Sequence, residues 1–167
     1  FVFLGGDLVH HGLDPRTKLQ NWVLPRRPKP RICEQGYMTV LAAPSEDLLQ
    51  QNLEVLTQGQ PALAMLLHRA VPAQIGAAHN GEPTCKIVVD GMERLVHSAY
   101  DPGGEARRQA ERVPPEAGTI LCVGAGLGYL PLTLLERPDL RLMLLEPELP
   151  FLRMMLSLFD CREYFRT

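Results

Sequence analysis

The chain has no Cys-x-x-Cys pair. Its four cysteines, Cys33, Cys85, Cys122 and Cys161, are widely spaced, and two of them fall in expected strands. That pattern reads as reduced, mostly buried thiols in a cytoplasmic protein, not as a zinc site or a disulfide framework. No apolar run approaches the roughly 18 residues that a membrane span needs, so no membrane partner is expected. A basic excess is missing as well: the formal net charge is −2 and the pI is near 6.2, which gives no electrostatic case for nucleic-acid binding. Internal repeats and low-complexity tracts are absent. No nucleophile–base pair, metal-ligand set or pair of acids at catalytic spacing appears, so catalytic residues remain unknown. His10-His11 has no third ligand nearby and reads as solvated loop histidines.

What is present falls into three parts. Residues 1–37 lack a sustained period and crowd Pro15, Pro25, Pro28 and Pro30 among Arg26, Arg27, Lys29 and Arg31. Such a leader buries too little apolar area to offset its ordering entropy and is expected to be extended or disordered. Residues 38–115 form the second part. Pro44-Ser45-Glu46-Asp47 supplies an N-cap and first-turn acids, Leu48, Leu49, Leu53 and Leu56 form a stripe, and Gly59 ends the run. A second helix opens on Pro61, so a helical hairpin is expected. Asn80-Gly81 and Asp90-Gly91 favour type I′ turns and predict an antiparallel meander over 73–79, 84–89 and 93–97. Asp101-Pro102 then opens a helix that Pro114-Pro115 breaks.

Residues 116–167 read as strand, glycine loop, helix and strand. Thr119 to Val123 is a short apolar run closed by glycine, and Leu140 to Leu145 is nearly all apolar. Between them, Leu130 to Glu136 carries the leucines of a short helix with Pro131 in its first turn. Elements this close predict a right-handed crossover with parallel strands. Gly124, Gly126 and Gly128 would let backbone N–H groups approach a ligand that any Cβ would push away. Glu146 lies 22 positions after Gly124, where an acid accepts hydrogen bonds from ribose hydroxyls in nucleotide-binding α/β folds. A nucleoside-containing ligand is the expected cofactor class. Tyr129 stands where a dinucleotide fingerprint needs a small residue, which disfavours nicotinamide and flavin dinucleotides. G-x-G-x-G is also typical of S-adenosylmethionine-dependent methyltransferases, although Cys122 occupies the position where their first strand usually carries an acid. Structurally, the glycines suffice to make a tight strand-to-helix turn.

The fold class is therefore α/β: an α+β N-terminal subdomain followed by the start of a Rossmann-like parallel sheet. Two parallel strands and one crossover helix cannot cover both apolar faces, so the chain is expected to be a fragment whose continuation completes the sheet.

Several strings together carry a family resemblance: Asn52-Leu53-Glu54, Gly81-Glu-Pro-Thr-Cys-Lys86, His97-Ser-Ala-Tyr-Asp-Pro102 with Glu105-Ala106, Val123-Gly-Ala-Gly-Leu-Gly-Tyr129, and Leu145-Glu-Pro147. From about Gln51 to Phe165 the chain resembles the N-terminal region of the motility accessory factor (Maf) glycosyltransferases, whose wider group includes 6-hydroxymethylpterin diphosphokinase-like proteins. The resemblance implies a bacterial cytoplasmic enzyme that transfers a nonulosonic sugar from its CMP-activated form to Ser or Thr of flagellin, with flagellin as partner and the transferase domain C-terminal to this region. Ala125 and Leu130 depart from the usual pattern, the latter where a histidine commonly follows the tyrosine. His97 and Tyr100 either line a pocket beside the glycine loop or pin the strand-to-helix corner. A methyltransferase binding S-adenosylmethionine, a pterin diphosphokinase-like enzyme and a non-catalytic docking module stay open as alternatives.

Overall fold

The computed structural model describes residues 21–23 and 43–165. His10-His11, Cys33 and most of the leader lie outside the described residues. Within the leader, Asn21–Val23 (β1) is a strand.

The mixed α/β class follows from two small sheets and six helices among the described residues. One sheet joins β5 (Thr119–Val123) and β6 (Arg141–Leu145) in parallel, pairing Thr119 with Arg141 and Val123 with Leu145. β1 lies antiparallel on the far side of β6, with Trp22 opposite Leu144. Ile120, Cys122, Leu142 and Leu144 point into the core from one face, because alternate residues of a strand share a face. The crossover is α4 (Tyr129–Leu135), which buries Leu132, Leu134 and Leu135.

The helical hairpin is α1 (Glu46–Gly59) and α2 (Pro61–Arg69). Ser45 caps α1 by accepting the Leu48 N–H on its hydroxyl at 3.2 Å. The Ser45 N–H donates to the Ser157 carbonyl at 2.9 Å, tying the start of α1 to a helix the sequence reading did not anticipate, α5 (Leu149–Leu158). Pro150 in its first turn and the apolar spacing of Leu152, Met155 and Leu156 were the available signals. A last short helix, α6 (Arg162–Phe165), follows. Leu49, Leu53 and Leu56 of α1 share one continuous core with α4, α5 and the parallel strands, so packing bridges the boundary expected at Pro114-Pro115. Each fully buried leucine contributes roughly 1.5–3 kcal/mol.

The meander is β2 (Ile75–Ala77), β3 (Pro83–Val89) and β4 (Met92–Leu95), in that order and antiparallel. Asp90 (φ 53°) and Gly91 (φ 76°) both have positive φ, as a type I′ turn demands. The first turn differs from expectation. Only Gly81 (φ 85°) is left-handed there, its N–H returns to the Ala78 carbonyl at 2.9 Å, and five residues separate the strands. Asn80 is used differently: its side chain accepts the Glu82 N–H and donates to Glu82 and Asp101. Finally, α3 (Pro102–Ala110) starts at Asp101, whose carboxylate accepts the Gly104 N–H at 2.7 Å.

Candidate functional site

The glycine loop leaves β5 at the carboxyl end of the parallel strands, where α/β sheets generally bind ligands. Gly124, Gly126 and Gly128 have φ of 83°, 51° and 99°, so the turn runs through left-handed geometry that a side chain would strain.

Every N–H along this loop has an intramolecular partner. Gly124 donates to the Leu145 carbonyl at 2.8 Å, and Gly128 to the Ala125 carbonyl at 2.8 Å. Ala125 and Gly126 donate to Glu146 Oε2 at 2.6 and 3.2 Å, and Leu127 donates to His97 Nε2 at 2.8 Å. The other Glu146 oxygen accepts the Glu148 N–H at 2.9 Å. Glu146 thus turns back across the loop and is 7% exposed, instead of standing free toward ribose hydroxyls as the spacing led one to expect. The glycines allow that close return, and the side chain neutralises the donors they expose.

His97 follows β4 and closes the loop from the other side. Because Nε2 accepts a hydrogen bond, the ring proton is assigned to Nδ1. Burial pulls the imidazole down to about 4, and it stays neutral at physiological pH. Its ring meets Tyr129 edge-on at 5.1 Å, and Tyr129 in turn meets Phe159 at 5.6 Å. The Tyr129 hydroxyl donates to the Pro83 carbonyl at 2.8 Å, anchoring α4 to the meander. Burial pushes this phenol up, with Glu82 and Cys85 adding to the effect. Burial also pushes the Glu146 carboxyl up, partly opposed by its three N–H donors. The Cys85 and Cys122 thiols rise to about 11 through burial and then through Glu146, so neither is a thiolate nucleophile.

Beside the loop lies a cleft of about 230 Å³. Its walls include His97, Gly124, Gly126 and Tyr129, together with Glu105 and Gln109 of α3. Gly124 is exposed toward open space, whereas Gly126 is packed by His97 and Gly128 by Met155 and Leu132. The candidate residues therefore divide. His97, Gly124, Gly126 and Tyr129 converge on the cleft, Glu146 backs the loop, Gly128 is buried in the core, and Tyr100 points elsewhere. Tyr100 is 69% exposed and stacks on His79 at 4.7 Å. The sequence reading did not single out Glu105 and Gln109 as wall residues. Their spacing of four puts both on one helix face, which was the usable signal.

No group of three or more histidine, cysteine or acidic side chains among the described residues is placed to hold a metal. Nor is any helix among them long and apolar enough to cross a membrane. No family model, curated protein or solved structure matches the chain.

Proposed function

We propose that the chain is the N-terminal part of a Maf-type glycosyltransferase and that its own task is to hold a nucleoside-class ligand beside the glycine loop. In this reading the whole protein moves a nonulosonic sugar from a CMP-sugar to Ser or Thr of flagellin, and the reacting groups lie C-terminal to these residues. The observation that carries the ligand role is the cleft at the carboxyl end of β5, walled by His97, Tyr129, Glu105, Gln109 and the exposed Gly124. Its volume suits a nucleoside better than a whole nucleotide-sugar, since pockets for larger ligands span roughly 300–1,000 Å³.

The test is a titration of the isotope-labelled protein with cytidine, adenosine, CMP and S-adenosylmethionine, followed by amide chemical shifts. Saturable shifts at Gly124, Gly126 and Leu130 support the reading. No saturable shift with any of the four up to millimolar concentration would sink it. Preferential, tight binding of S-adenosylmethionine would move the assignment to a methyltransferase. A docking module without a small ligand is favoured by a different observation: Glu146 and His97 take up loop donors that a bound phosphate would otherwise use. Flagellin binding without any nucleoside response would be its signature.

A further inference from the structure

We infer that the cleft beside the glycine loop selects phosphate-free nucleosides and rejects nucleotides, with Glu105 as the selecting residue; this rests on the nucleoside reading of the same site. Three features carry it. Among the described residues no lysine or arginine lines the cleft, while Glu105 does. The backbone donors that would normally receive a phosphate, the N–H groups of Ala125, Gly126 and Leu127, are already bound to Glu146 and His97. His97 is neutral, its Nε2 is spent on Leu127, and burial holds it far from becoming a cation.

What Glu105 offers is hydrogen-bond acceptance. One Glu105 oxygen accepts the Ser98 N–H at 2.8 Å, which fixes the carboxylate at the start of α3 and leaves its second oxygen to a ligand. Gln109, one helical turn later and half-buried, carries an amide for which no bond to a described residue is found. A ribose hydroxyl or an exocyclic amine suits the Glu105 carboxylate, and a phosphate does not, whereas the Gln109 amide both accepts and donates. Val96, Ala106 and Leu130 supply apolar surface for the body of the ligand.

The experiment compares cytidine with CMP, and adenosine with AMP, by amide shift titration at low salt. A phosphate within roughly 10 Å of Glu105, with no compensating cation, should bind about tenfold more weakly or worse than the matching nucleoside. Glu105→Gln keeps an acceptor for the Ser98 N–H but removes the charge, and should narrow that gap to about threefold. Gln109→Glu, on the same wall, should widen it by a further factor of about ten at low salt. It serves as the second variant if Glu105→Gln does not fold. Monophosphates that bind as well as their nucleosides would overturn the inference and leave the nucleoside reading standing. A gap that neither variant changes would remove Glu105 as its cause. If neither nucleosides nor nucleotides bind, both the inference and the reading beneath it fall.

Discussion

The imidazole of His97 accepts the backbone N–H of Leu127 at 2.8 Å, joining the end of the meander to the glycine loop across 30 positions of sequence. With Glu146 on the other side, it makes that loop a joint between two halves of the fold. The same two side chains take up the loop's N–H groups, so the stability of this corner and the ligand role proposed for it depend on the same bonds.

Acid should loosen this joint first. The folded imidazole is depressed to about 4 by burial, whereas the unfolded one titrates near 6.5. Above about pH 6.5 both forms are neutral and the His97 contribution is fully present. As pH falls toward 4 the unfolded state takes up a proton that the folded state refuses, so stability drops, by about 3 kcal/mol in all. Glu146 acts in the opposite direction, because its carboxyl is raised on folding and its burial cost is relieved as acid protonates it. His97→Gln retains an acceptor for Leu127 without titrating. Urea midpoints measured from pH 7.5 to 4.5 should fall more steeply for the parent than for this variant, and equal slopes would remove His97 as the cause.

A second joint holds the helical hairpin. Asn52 is fully buried, donates to the carbonyls of Leu156 and Phe159 at 2.7 and 2.8 Å, and accepts the Cys161 N–H at 2.8 Å. Asn52→Leu keeps the volume but strands three backbone groups, at roughly 1–3 kcal/mol each before relaxation. A loss of about 3–5 kcal/mol is expected in chemical denaturation. Asn52→Asp should be worse at pH 7, since it faces a carboxylate toward two carbonyls, and should recover as pH is lowered. An Asp variant with pH-independent stability relative to the parent would contradict this account.

Removing Glu146 should release the loop more than it unfolds the chain. Glu146→Ala leaves the N–H groups of Ala125, Gly126 and Glu148 without their acceptor. Relief of a buried charge offsets part of that cost, so a net loss of about 2–4 kcal/mol is expected. Amide hydrogen exchange should speed up at Ala125 and Gly126 well before it does at Ile120 or Leu142 in the sheet. Uniform acceleration across the sheet would mean that Glu146 supports the whole fold instead.

Much of this architecture was legible because local chemistry and tertiary structure agree. Ser45, Asp101 and Asp90-Gly91 each act through neighbours in sequence, and caps and a tight turn appear where those residues stand. The parallel pairing of Thr119–Val123 with Arg141–Leu145 followed from two apolar runs around a short helix. The partners of Glu146 and His97 were not legible, since a carboxylate at a strand end reads the same whether it meets a ribose or its own loop. Asn52 was hidden for a similar reason: nothing in its neighbourhood announces carbonyls more than 100 positions away. Asn80 misled because positive φ in that turn falls to Gly81 alone, while the Asn80 side chain accepts the Glu82 N–H.

The three loop glycines should rank differently under substitution by alanine, because each missing Cβ faces a different neighbour. At Gly124 no described residue lies within 4 Å of the added Cβ, which leaves left-handed backbone strain of roughly 1–2 kcal/mol. At Gly126 the new methyl would sit 2.6 Å from His97 Nε2, which is held in place by Leu127. At Gly128 it would run into Met155 Cγ and lie 2.9 Å from the sulfur, on a side chain flexible enough to give way in part. Thermal midpoints should therefore fall least for Gly124→Ala, further for Gly128→Ala and most for Gly126→Ala, with the last two costing about 3 kcal/mol or more. Gly124→Ala also puts a methyl into the space beside the cleft. It should fold and yet weaken cytidine binding about tenfold or more, whereas unchanged binding in a folded Gly124→Ala protein would place the ligand away from this loop.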